Sequence, residues 1–377
     1  MKKILYVINA DWYFDLHWLD RAKAAINEGY IVSVALPTCT REYEDVFNGL
    51  GIKVYLFHMT RSGIGLFSEL KAFRQIFNII KDLKPSVVHS VTIKPNLYST
   101  IANTLLKTPF ICTFAGLGTL KTSTKFSYRL VLWLCLSFFK VLSRKAKLLA
   151  TFENQDDLDF FMENKVFDEN QVVRVFGAGV DLKKYIFSIE DPVSNSIKIL
   201  FASRLLKDKG LGLLIEAVKK INNEGMSVEL LVAGIFDPGS PLSFTLEEIE
   251  GYSDSGDIVW LGKRDDIPEL IRQSSMVVLP TTYGEGVPRI LIEACCVGRP
   301  IITTPLGGCK DICHNNENGI LIEPNSLNEL VAAIKALAMD KSLRVKYGEN
   351  GRNIVECQFS NSLILMQNNE FYEMMAN

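Results

Sequence analysis

Short apolar runs recur along this chain with helical stretches between them, and that alternation restricts the fold more than any other feature. The runs at residues 3–8, 31–36, 53–57, 86–89, 110–114, 147–152 and 172–175 read as strands. Helical periodicity fills gaps among them, at residues 19–28 up to Gly29 and at residues 67–83. Strand and helix in turn argue for a parallel sheet covered on both faces. A second series follows at residues 197–203, 228–233, 258–261, 276–279 and 300–304, with no close sequence repeat of the first. At 377 residues and 48% hydrophobic content the chain can bury two cores. The expected division is 1–185, 186–355 and a helical tail at 356–377 packing onto the domains, with the polar stretch 184–196 around Pro192 as the connection. Two facing sheets imply a deep cleft between the domains.

The net charge of -2 conceals an asymmetry. Through Tyr185 there are 24 Lys and Arg against 17 Asp and Glu, a balance of +7; the remainder has 17 against 26, a balance of -9. An acidic second half does not suit a general nucleic-acid binder, and no nucleic-acid module is evident. The basic first half suits an anionic surface or substrate. MKKILYVINA is ended by Asp11 and reads as a first strand, not a signal peptide, so secretion is not expected. The eight cysteines show no pairing pattern and fit a reduced, cytoplasmic interior. Cys309, Cys313 and His314 have a spacing that could touch a metal but lack a second clear pair, so no metal site is expected.

The stretch TTYGEGVPRILIEACCVGRPIITTPLGG, residues 281–308, sets two glycine-rich loops around one short helix. Pro288 suits the first turn of that helix, residues 290–297 are its buried face, and Gly298 stops it. Glu285 and Glu293 lie eight residues apart, at most about 12 Å of helical rise, so both carboxylates could face one elongated polar ligand. Amides at the helix start favour an anion nearby. Solvated acids on an ordinary strand, loop and helix are the plainer reading of this stretch. Upstream, Ser203, Arg204, Lys207 and Lys209 surround a turn completed by Gly210. Arg204 offers a fork to phosphate oxygens and Lys209 a mobile charge, together enough to neutralise a diphosphate. Taken alone, that turn is equally a solvated basic loop.

In the first half, HSVTIKPN at residues 89–96 should leave a strand at the edge where open α/β sheets place ligands. His89 and Lys94 are therefore candidates for the cleft, His89 being equally a core histidine and Lys94 the better donor to an anion. Gly116 and Gly118 follow the strand at 110–114. Residues 126–142 are strongly apolar and flanked by Arg129, Lys140, Arg144, Lys145 and Lys147. The run is too short to cross a bilayer; it fits a helix lying on an anionic membrane or a buried helix with a basic end.

The motifs SRLLKDKG, LGKRDDIPEL, TYGEGVPRILIEA and GRPIITTPLGGCKD resemble those of the family-4 retaining glycosyltransferases, over nearly the whole chain. The resemblance implies an α/β GT-B fold of two facing Rossmann-like domains, the first binding acceptor and the second a nucleotide sugar. It is greatest to bacterial enzymes that extend polyprenyl-diphosphate-linked saccharides for surface polysaccharide, lipopolysaccharide O-antigen or glycoprotein assembly. It implies Arg204 and Lys209 as a diphosphate clamp, Glu293 on the ribose and Glu285 against the donor sugar. The backbone of Gly286, Val287, Pro288 and Arg289 would approach the sugar hydroxyls and phosphate, and Lys263 and Arg264 would lie near the base. Gly116 and Gly118 would let the first domain approach the diphosphate. One departure stands out: Ile93 occupies the place where the family often has a cleft histidine.

The implied reaction moves a hexose or N-acetylhexosamine from a UDP-sugar to the lipid-linked acceptor with retention, at the inner face of the plasma membrane. The departing diphosphate helps deprotonate the acceptor, so no protein nucleophile is required, and the resemblance implies no essential metal. Glu285 is then a binding and electrostatic group, unlike one of a glycosidase pair. A UDP-sugar epimerase of the same fold and a non-catalytic nucleotide-sugar binder are the alternatives.

Overall fold

The computed structural model describes the chain except residues 60–64, 118, 123–124, 178, 191–195, 238–239 and 285. It forms two compact units, Met1–Ala178 with Ser362–Asn377, and Gly179–Asn361. The sequence reading divides the chain at 185 and 355; the units change at 178 and 361.

In the first unit β1 (Lys3–Val7), β2 (Ile31–Leu36), β3 (Lys53–Leu56), β4 (Val87–Val91), β5 (Phe110–Phe114), β6 (Leu148–Phe152) and β7 (Val172–Arg174) form one sheet, ordered β3-β2-β1-β4-β5-β6-β7. All the pairings are parallel. On one face the helix Asp11–Asn27 packs Phe14, Trp18 and Ala22 against Ile4, Tyr6 and Val34. On the other, the helices Leu66–Leu83, Ile93–Leu106 and Phe126–Ser143 bring Ile76, Tyr98 and Phe139 to the layer around Leu5, Val88 and Phe110. Each large aliphatic or Phe side chain among them contributes roughly 1.5–3 kcal/mol relative to exposure. The helix Asn361–Ala376 adds Phe371, Tyr372 and Met375 to the first of these faces.

His89 belongs to this core and not to a loop. A central parallel strand is buried on both faces, and His89 in β4 is 1% exposed. Its Nδ1 lies 2.9 Å from the Tyr372 hydroxyl and its Nε2 2.7 Å from Thr113 Oγ1. The Tyr372 hydroxyl in turn lies 2.7 Å from that of Tyr6. Burial first, and the Arg21 charge second, hold the His89 pKa well below the usual range, so the imidazole is neutral. The loop expected at residues 89–96 is also replaced: β4 continues to Val91, Thr92 takes φ 71, and a helix starts at Ile93. Lys94 sits in the first turn of that helix, with its ammonium 2.9 Å from Glu69 Oε1.

In the second unit β8 (Ile197–Arg204), β9 (Val228–Ile235), β10 (Val259–Gly262), β11 (Met276–Leu279), β12 (Ile301–Thr303) and β13 (Gly319–Leu321) are ordered β10-β9-β8-β11-β12-β13. The three-residue β13 is too short to announce itself in the sequence. Strand order reverses between β8 and β11, which opens a crevice outside their carboxyl ends. The chain enters and leaves this unit side by side: Val180 N–H donates to Phe359 O and Asn361 N–H to Val180 O, each at 2.9 Å.

Candidate active site in the second unit

The crevice is built from three loops. β8 ends on Arg204, and the chain passes through the single turn Lys207–Lys209 to Gly210 and the helix Leu211–Asn223. Gly210 has φ 83, and a Cβ there would stand 2.1 Å from the carbonyl oxygen of Pro280. Only glycine lets the first loop rest on the backbone that follows β11. The Asp208 carbonyl ties the same two loops, accepting the Thr282 N–H at 2.8 Å and the Thr282 hydroxyl at 3.1 Å.

These contacts fix Lys209, which is buried with its ammonium 5.0 Å from the ring centre of Tyr283. Arg204 is half-buried, and its Nη1 donates to Asp237 Oδ2 at 3.0 Å. The guanidinium carries further N–H donors beyond that bond.

The loop after β11 leads through Gly284, Gly286 and Val287 to Pro288, which precedes the helix Arg289–Val297 instead of occupying its first turn. Pro288 has φ -64, preset for the helix that follows. The third loop, after β12, brings up Gly308, where a Cβ would lie 2.4 Å from Val287 N. Both glycine-rich loops therefore meet backbone to backbone. Their edges are tied by the Thr304 hydroxyl, which donates to Thr281 O at 2.8 Å.

Glu293 lies on the helix Arg289–Val297 and is 6% exposed. Its Oε1 accepts from the Tyr185 hydroxyl at 2.6 Å and from Arg289 Nε at 2.8 Å. Burial and then the Glu293 charge raise the Tyr185 pKa, so the hydroxyl keeps its proton and donates. Tyr185 and Asp237 carry no local sequence signal as partners of Glu293 and Arg204. Their contacts span 108 and 33 residues.

Glu285 and Gly118 lie outside the described residues. Lys263 and Arg264 follow β10 on the surface, and Arg264 donates to both oxygens of Asp266, at 2.8 and 2.5 Å. Gly116, in the first unit, has φ 104, and the next residue's N–H donates to Asp157 at 2.9 Å. Cys309 and Cys313 are buried free thiols, and no cluster suited to a metal occurs among the described residues. What the second unit brings together is Arg204, Lys209 and three backbone loops at one strand-order reversal. Such a set can hold a diphosphate, with fixed charge on one side and peptide dipoles on the other.

Known proteins resemble both units of the chain. The family described as glycosyl transferases group 1 matches residues 183–354, and the glycosyl transferase 4-like family matches residues 3–152. A Campylobacter jejuni N,N'-diacetylbacillosaminyl-diphospho-undecaprenol alpha-1,3-N-acetylgalactosaminyltransferase is 27% identical over 321 residues, 82% of each chain. An Escherichia coli UDP-Gal:alpha-D-GlcNAc-diphosphoundecaprenol alpha-1,3-galactosyltransferase is 26% identical over 305 residues, 77% of this chain and 76% of its own. Among solved structures, Anabaena Alr3699/HepE in complex with UDP superposes with a TM-score of 0.79 at 20% identity, covering 99% of this chain and 100% of that one. The fold is GT-B. With one family match in each unit, the chain belongs to the family-4 glycosyltransferases.

Proposed function

We propose that the protein transfers a hexosyl or N-acetylhexosaminyl group from a UDP-sugar, with retention, to a polyprenyl-diphosphate-linked saccharide. The observation that carries this reading is the meeting of Arg204, Lys209 and the backbone-packed glycine loops at the β8/β11 crevice. The names of the Campylobacter and Escherichia relatives supply the acceptor class, and the UDP-Gal of the second, with the UDP complex of the Anabaena protein, supplies the nucleotide.

Arg204 and Lys209 take up the charge that grows on the diphosphate as the anomeric C–O bond breaks. The acceptor oxygen forms the new bond on the same face, and its proton passes to the departing phosphate oxygen. Glu293 holds the ribose, Glu285 faces the donor sugar, and Lys263 and Arg264 border the base. The two cations take the part a metal would play in stabilising the leaving group.

The acceptor's lipid places the enzyme peripherally at the inner membrane face. No helix among the described residues is long and apolar enough to cross a membrane. The helix Phe126–Ser143 nevertheless turns Phe126, Leu130, Trp133, Leu134 and Val141 outward, all of them exposed. Arg129, Arg144 and Lys145 are exposed beside them, and no carboxylate occurs in the sequence between Asp82 and Glu153. An apolar stripe flanked only by bases suits an anionic lipid surface.

Arg204→Ala and Lys209→Ala should each lower kcat by about 10²–10³-fold and weaken UDP binding, measured by transfer kinetics and calorimetry on variants with unchanged circular dichroism. Wild-type turnover and UDP affinity in both variants would overturn the assignment.

A further inference from the structure

Glu293 presents its two oxygens unequally. Oε1 accepts both the Tyr185 hydroxyl and Arg289 Nε, whereas none of the described residues donates to Oε2. Tyr185 is itself held. Its carbonyl accepts Arg352 Nη1 at 3.0 Å and lies 3.1 Å from the Cys296 thiol, and Arg352 Nη1 also donates to Cys296 O at 2.9 Å. The ring is 3% exposed, so hydroxyl, backbone and ring are all fixed against the helix that carries Glu293.

A carboxylate on a two-bond stem can rotate, and a buried one with a single oxygen anchored keeps one orientation. We infer that Tyr185 is a positioning residue for the nucleotide: its hydroxyl anchors Oε1 so that Oε2 is offered to the ribose hydroxyls. The inference rests on the reading that Glu293 holds the ribose. Tyr185 touches no reacting atom and acts only through Glu293. Arg289 shares the task from one turn away, at i,i+4 on the same helix. Tyr185 lies just inside the unit boundary at Gly179, so the donor site is completed by the segment through which the chain enters the unit.

The test uses the full chain, UDP and 2′,3′-dideoxy-UDP, with binding measured by calorimetry. Tyr185→Phe keeps the ring and removes one donor. It should weaken UDP about tenfold, the scale of one hydrogen bond to a charged group, and leave dideoxy-UDP affinity unchanged. The donor KM should rise by the same factor while kcat at saturating donor stays within about twofold. Equal weakening for both nucleotides would make Tyr185 a merely structural residue and overturn the inference, as would unchanged UDP affinity. Glu293→Gln separates the two levels. If it preserves the preference for UDP over the dideoxy nucleotide, the ribose reading itself fails; if it abolishes that preference while Tyr185→Phe does not, only the role of Tyr185 fails.

Discussion

The six strands of the second unit follow the same order as the first six of the first unit, on both sides of the reversal, yet the loops at the two reversals are built from different materials. In the second unit Gly210 and Gly308 remove side chains so that loops touch through backbone, and the two cations project from that frame. In the first unit the loops after β1 and β4 hold Asn9, Asp11, Thr92 and Lys94, none of them glycine, and a glycine, Gly116, appears only after β5, the counterpart of β12. Asp11 ties down the loop after β2 by accepting the Thr40 N–H at 2.9 Å. Nearby in the same unit Arg21 is buried, donating to His17 O and Gly177 O, and it acts on the buried carboxyl of Glu153. The lesson is that one topology supplies the place for a ligand, and loop composition decides whether peptide amides or side chains meet it.

Two glycines with φ 83 allow the contrast to be broken deliberately. Gly29, in the first unit, has nothing within 4 Å of a built Cβ, so Gly29→Ala should cost roughly 1–2 kcal/mol for the left-handed backbone alone. Gly210→Ala adds a clash with Pro280 O, for a total of about 2–5 kcal/mol, and should impair UDP binding as well. Denaturant unfolding and calorimetry on both variants decide this; equal costs would mean that the close loop contact is not under strain.

A second measurement sharpens the other side of the comparison. Burial raises the Glu153 pKa from 4.5 to about 7, against the opposing pull of Arg21. The folded chain therefore keeps a proton that the unfolded chain has released, and stability falls as pH rises from 4.5 towards 7. The loss from this group is at most roughly 3 kcal/mol. Glu153→Gln should flatten the stability profile across that window, followed by urea unfolding at a series of pH values; an unchanged slope would remove Glu153 as its source.

The smallest expected effect concerns the surface of the first unit. Arg144→Glu and Lys145→Glu should weaken cosedimentation with anionic vesicles, on the order of 1 kcal/mol per base removed, without changing transfer to a short soluble acceptor. Trp133→Ser should reduce vesicle binding in high salt, where the bases are screened. Undiminished vesicle binding in all three would exclude the helix Phe126–Ser143 as the contact.

Much of the frame was legible because buried parallel strands are continuous apolar runs, and because glycine and proline punctuate the loops after β8, β11 and β12. The helix Ile93–Leu106 was not, since IKPNLYSTIANTLL mixes Pro, Asn and Thr into a segment whose polar residues Asn96, Thr100 and Asn103 are all buried. Its polar positions face protein, so helical amphipathicity is lost. His89 misled for a related reason: in a strand buried on both faces, a polar residue does not mark an exposed edge. The anchoring of Glu293 by Tyr185 is a tertiary contact, and no local pattern encodes it.

The membership of residues 362–377 in the first unit has a consequence for biosynthesis. Tyr372 closes the polar cluster of Tyr6 and His89, and Phe371 and Met375 complete the apolar layer around it. A ribosome finishes the sheet of the first unit early, then must make the whole second unit before this last helix emerges. The second unit is contiguous and can fold as it is made, whereas the first waits with His89 and Tyr6 uncovered. The order of completion thus reverses the order of synthesis: the unit begun first is closed only after the second has been made.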